Sequence, residues 1–111
     1  MKRKLWALLT PVLAVVVVAP LALGASRVGV TGKEFKFVLS TRTVRHGSVT
    51  FRFTNKGRLK HDFKIAGKKT PLLKPGKSAS LTVTLRKGRY TYICTVPGHA
   101  AAGMKGTLRA S

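Results

Sequence analysis

The sequence predicts an all-β sandwich of about eight strands behind an apolar leader, and three observations carry that prediction. Phe35, Phe37 and Leu39 alternate with Lys36 and Val38, and polar residues alternate with Val49, Phe51 and Phe53 and with Leu81, Val83 and Leu85. This is the period of a sheet with one wet face. Turn residues punctuate the runs: Thr31-Gly32, His46-Gly47, Asn55-Lys56-Gly57, Lys74-Pro75-Gly76-Lys77 and Lys87-Gly88-Arg89. Their chemistry supplies the positive φ values and local hydrogen bonds of chain reversal. Few residues remain that could build a helix.

Residues 1–25 form the leader. Lys2, Arg3 and Lys4 are followed by Leu5 to Leu23, apolar apart from Thr10, and then by the small residues of Ala22-Leu23-Gly24-Ala25-Ser26. That order is the order of a signal peptide. Pro11 and Pro20 interrupt the run, which favours cleavage near Gly24 or Ala25. The 19 apolar-run residues are also enough to cross a bilayer, so an uncleaved anchor is the alternative. Either form is exported, to the periplasm, the cell surface or the medium.

Residues 26–111 form one domain. Its first strand covers Val28 to Val30, and after the Thr31-Gly32 turn a second runs from Phe35 to Leu39. A short strand at Thr43 to Arg45 leads into the His46-Gly47 turn, which leaves His46 an exposed turn residue with no ligand role. Val49 to Thr54 is the longest alternation, Asp62 to Ile65 a short one, and Ala66 to Ser80 a single long connection. Leu81 to Arg86 and Tyr90 to Cys94 follow on either side of Lys87-Gly88-Arg89, and Gly106 to Arg109 closes the domain.

The chain has 111 residues, 22 Lys and Arg, 2 Asp and Glu, and one Cys. That length holds one small domain and excludes a multidomain enzyme. A single sulfhydryl excludes an internal disulfide framework, a four-cysteine zinc or iron–sulfur site, and a copper pair bridged by two thiolates. Without the cations of residues 2–4, the domain keeps 19 cations and both acids, a net charge of +17.

The chemistry lies in the polar minority. Cys94 ends a strand, His99 follows five positions on, Met104 five further, and His61 lies upstream. A thiolate, two imidazoles and a thioether are the donors of a mononuclear blue-copper centre, with Cys and two His in a plane and Met as the weak axial ligand. Pro97-Gly98 turns the chain so that His99 can face the same ion, and Gly103 loosens the return to Met104. Singly, a Cys is a small hydrophobe, a His a satisfied polar group and a Met a gap filler. Together they use the only Cys, two of three His and the only Met besides Met1.

On these residues the chain resembles the cupredoxins of the plastocyanin, azurin and rusticyanin group. The matching stretches are Gly47 to Asn55, Lys60-His61-Asp62-Phe63, Leu73 to Ser78, Gly88 to Cys94, and Pro97-Gly98-His99 through Gly103-Met104-Lys105-Gly106. The resemblance implies an eight-strand Greek-key sandwich with one copper ion near one end. His61 would come from one connection, and Cys94, His99 and Met104 from another. The Cys-to-His spacing is like azurin and rusticyanin, the segment after His99 more like plastocyanin. Many cupredoxins carry Asn or Ser after the first ligating His. Here Asp62 takes that place, with Thr95 as the expected partner in a tie between the two ligand loops.

Four protein donors leave no open position for substrate, and Glu34 and Asp62 are the only acids. Those features imply a carrier of single electrons and not an enzyme. The alternatives are a copper-delivery protein and an accessory domain of a larger oxidase. The resemblance implies that His99 is the exit, through Pro97, Gly98, Ala100, Ala101 and Ala102. The expected partner is a redox protein, an acidic one if the charge steers encounter, with the domain monomeric and able to lie at an anionic membrane surface. Nucleic acid is not expected, because the cations are spread without an aromatic platform.

Overall fold

The computed structural model describes residues 25–111, so the leader reading of residues 1–25 lies outside the described residues except at Ala25. Nine strands form two sheets, and among the described residues there is no helix. β1 (Ser26–Lys33), β2 (Lys36–Leu39), β4 (Gly47–Asn55) and β7 (Ser78–Leu85) make one sheet in the order β2-β1-β4-β7. β3 (Thr43–Val44), β5 (Lys64–Ile65), β6 (Lys68–Lys69), β8 (Gly88–Ile93) and β9 (Lys105–Ala110) make the other, in the order β3-β9-β8-β5-β6. Both are mixed, because β1 runs parallel to β4 and β3 parallel to β9.

The inward faces follow the alternation of the sequence. Val28, Val30, Val49, Phe51, Phe53, Val83 and Leu85 come from one sheet and meet Val44, Ile65, Tyr92, Leu108 and Ala110 from the other. Phe63 sits between them with its ring 5.3 Å from Phe37 and from Phe51, and 5.6 Å from Tyr92. Such offset and edge-on aromatic packing adds to the burial of the rings themselves.

Two sequence expectations shift. The connection from Ala66 to Ser80 is not featureless: the reversal at Ala66 and Gly67, with φ of 50° and 75°, pairs β6 with β5 and brings the strand count to nine. Thr31-Gly32 is not a turn either. β1 continues through it, since the Phe53 ring lies across Gly32 so closely that a Cβ there would fall 2.6 Å from Cε1. The reversal comes two residues later, between the paired Lys33 and Lys36. Glu34 and Phe35 therefore form the hairpin tip instead of continuing a strand, and this displacement carries both to the functional end of the sandwich.

Candidate metal centre

Two loop systems meet at that end. Asn55, fully buried, donates through Nδ2 to the carbonyls of Leu59 and Leu73, both at 2.8 Å, while its Oδ1 accepts from the Gly57 amide at 2.9 Å. His61 is then pinned by backbone bonds to Leu73 in both directions, at 3.2 and 2.8 Å. The second loop closes on itself. The amide of Cys94 donates to the Met104 carbonyl at 3.1 Å, and that of Met104 to the His99 carbonyl at 3.0 Å. Gly98 and Gly103 have φ of 84° and 126°, and a Cβ on Gly103 would lie 2.8 Å from the Phe35 carbonyl. Only glycine suits both conditions there.

The structure brings three of the four donors predicted from sequence within bonding reach of one point. His61 Nδ1 and His99 Nδ1 are 3.0 Å apart, and Cys94 Sγ lies 3.9 and 3.6 Å from them. The point equidistant from these atoms is about 2 Å from each, the length of metal–imidazole and metal–thiolate bonds. Met104 is fully buried and bonded through its backbone to both Cys94 and His99. A soft, buried thioether beside a thiolate and two imidazoles suits copper in both oxidation states. The donor set therefore fits a single copper ion.

Charge and burial prepare these groups. Burial pushes the Cys94 thiol up, with the Asp62 charge adding and the amides of Asp62 and Val96 opposing. The thiol is accordingly protonated at neutral pH until a metal displaces the proton. His99 is held below the ordinary histidine range, by burial first and then by His61, against weaker pulls from Glu34 and Asp62. It is neutral at pH 7 and has a lone pair to offer.

Asp62, 3% exposed, accepts from the Thr95 amide at 2.6 Å and, through its other oxygen, from the Thr95 hydroxyl. One carboxylate thus joins the residue after His61 to the residue after Cys94. Glu34 plays a role that the sequence reading did not assign. Its Oε1 accepts from the amides of Leu59 and Arg58 at 2.7 and 2.8 Å and from His61 Nε2 at 2.9 Å. The Leu59 amide first, and then His61, hold this carboxyl down at about 2. With Nε2 committed to Glu34, the other ring nitrogen, Nδ1, is the one His61 turns toward Cys94 and His99. The available signal was scarcity: an acid in a chain with two acids and 22 cations calls for a reason. Phe35 also went unassigned, and its ring packs edge-on against His99 at 5.0 Å. His46 does stay at the far end, exposed, with Nδ1 2.9 Å from the Ser111 carbonyl.

Comparison with known proteins agrees with this geometry. The sequence pattern of the family described as copper binding proteins, plastocyanin/azurin family, matches residues 31–111. Auracyanin-B of Chloroflexus aurantiacus is 58% identical over 40 residues, which is 35% of this chain and 17% of that protein. The chain thus matches about a sixth of that relative's length. Among solved structures, reduced auracyanin from Roseiflexus castenholzii superposes with a TM-score of 0.66 at 22% identity, covering 79% of this chain and 97% of the other. Auracyanin A from Chloroflexus aurantiacus, described as a "blue" copper protein, gives 0.66 at 23% identity, with 79% and 100% covered. At such identities the superpositions show the fold, a cupredoxin-like sandwich.

Proposed function

The chain belongs to the plastocyanin/azurin family of copper-binding proteins, and from that premise we propose that it is an exported carrier of single electrons, with one copper ion held by His61, Cys94, His99 and Met104. The observation that carries this reading is the convergence of His61 Nδ1, His99 Nδ1 and Cys94 Sγ to separations of 3.0 to 3.9 Å, with Met104 fully buried and held by backbone bonds to Cys94 and His99. Copper bound there supplies a one-electron couple between its cupric and cuprous forms. Everything else is the work of the chain.

Cys94 gives up its proton to become a ligand, and its burial keeps it from other chemistry. Asp62 and Thr95 tie the two ligand loops so that the donors stay in one arrangement whatever the charge at their centre. Glu34 fixes the ring of His61, and Phe35 that of His99. Such rigidity favours electron transfer, because a site that need not rearrange has little reorganisation to overcome. Four protein donors leave no place for a substrate, which supports a carrier and not an enzyme. His99 is the exit, since it is 9% exposed while Cys94 is 1% and His61 and Met104 are 0%. Around it lie Pro97, Gly98, Ala101, Ala102 and the partly exposed Phe35. A redox partner docks on that rim, drawn in over distance if it is acidic, because Lys56, Arg58 and Lys60 are exposed just before His61. The leader sequence supports export.

The test is to load the full chain with one equivalent of cupric salt and record optical and paramagnetic spectra. An intense blue thiolate-to-copper band, a narrow copper hyperfine splitting and fast, reversible voltammetry are expected. A pale tetragonal spectrum would assign the site to copper storage or delivery instead.

A further inference from the structure

The two poles of the sandwich carry similar numbers of cations but different kinds. The pole opposite His61 and Cys94 comprises the start of β1 and β8, the end of β7 and β9, and the β3–β4 turn. It exposes six arginines, Arg27, Arg42, Arg45, Arg86, Arg89 and Arg109, with one lysine, Lys87. The copper pole reverses this composition. Lys33, Lys36, Lys56, Lys60, Lys74 and Lys77 are exposed there together with Lys105, and Arg58 is its one arginine. Lysine is a hydrated point charge suited to attraction at a distance, whereas the planar fork of arginine matches phosphate oxygens two at a time.

The arginine pole is also built against its own electrostatics. Arg89 and Arg109 stand directly opposite each other on β8 and β9, and the Arg109 amide bonds to the Arg42 carbonyl at 2.8 Å. Like charges facing across a strand pair are unfavourable in the isolated fold. Both acids of the domain are engaged at the copper end, so among the described residues no arginine or lysine pairs with a carboxylate. Lys87, Arg89 and Arg109 line an open cleft of about 550 Å³. An anion in it would relieve the repulsion. The chain enters β1 at this same pole, directly after the apolar run Leu5 to Leu23 in sequence.

We propose that the arginine pole binds the phosphodiester headgroups of an anionic bilayer. The domain then stands with its lysine-ringed copper end facing away from the lipid. Headgroup binding does not depend on copper. Only its use, to present His99 to a partner, rests on the electron-carrier reading, so failure of one leaves the other standing.

The experiment is sedimentation of the full chain with vesicles of phosphatidylglycerol and phosphatidylcholine, compared with vesicles made equally negative by a fatty acid. Two variants accompany it: R45K/R86K/R89K/R109K, which keeps every charge, and K56Q/K60Q/K74Q/K77Q, which removes four. The wild type is expected to prefer the phosphatidylglycerol vesicles. The arginine-to-lysine variant should lose about tenfold in affinity and the lysine-to-glutamine variant less than threefold. Unchanged binding by the arginine-to-lysine variant, or an equal or greater loss at the copper pole, overturns the proposal. So does competition by millimolar inorganic phosphate at constant ionic strength that abolishes binding, since the cleft would then be a free-phosphate site. Near-ultraviolet circular dichroism checks the folds, and R89K/R109K replaces the fourfold variant if that one is unfolded.

Discussion

Replacing Asp62 by Asn changes charge at the copper centre while keeping the tie between its loops. The Asn oxygen can accept from the Thr95 amide as the carboxylate does, and its NH2 can donate to the Thr95 hydroxyl, which turns from donor to acceptor. The shape survives and one negative charge goes. The carboxylate connects to the ligand triangle through the Thr95 amide and the adjoining Cys94, and Coulomb's law is evaluated at a separation on the order of 7 Å. At an effective dielectric of about 20 a unit charge there is worth about 2 kcal/mol to the extra positive charge of the cupric form. For one electron that is a rise on the order of 100 mV in reduction potential. The assay is voltammetry of wild type and Asp62→Asn at neutral pH, with Asp62→Ala, which breaks the tie as well, for comparison. Asp62→Asn should move the potential up with little change in the blue spectrum, while Asp62→Ala should broaden the spectrum too. A potential unchanged or lowered in Asp62→Asn would refute the electrostatic reasoning, because no screening argument reverses the sign.

The remaining predictions concern the ligands and the core. Glu34→Ala should weaken copper binding by about tenfold or more, measured by competition with a chelator, since His61 loses the acceptor that fixes its ring. In the metal-free protein, the folded-state pKa of Glu34 is near 2 against an ordinary 4.5, so it contributes stability above pH 4.5 that is lost as pH falls toward 2. Acid unfolding of Glu34→Gln, followed by circular dichroism, should lack that component. Copper affinity should rise about tenfold per pH unit between pH 7 and 9, because burial keeps Cys94 protonated and one proton must leave on binding. A titration in weak buffer that released no proton would contradict this. Phe63→Ala should cost about 3 to 5 kcal/mol in chemical denaturation, given a fully buried ring at the meeting point of the two sheets.

Much of this protein is legible before any coordinates. Period-two alternation marks the strands because each buries one face, and Val49, Phe51 and Phe53 point inward as that pattern requires. The ligand loop is legible because its donors are rare residue types set around Pro97 and Gly98 within eleven positions, from Cys94 to Met104. Asp62 could be paired with Thr95 because each directly follows a ligand. Glu34 and Phe35 could not be placed in this way. Their positions depend on where the β1–β2 hairpin reverses, and a turn signal at Thr31-Gly32 competes with the need of Phe53 for a residue without a side chain.

By itself, then, the sequence determined the fold class, the ligand types and the cationic balance, since these follow from local periodicity, residue chemistry and simple counting. Tertiary structure alone decided that Glu34 holds His61, that Phe35 covers His99, and that arginines and lysines gather at opposite poles. The physical reason is that these relations join residues far apart in the chain, through strand register and side-chain packing that no local pattern encodes.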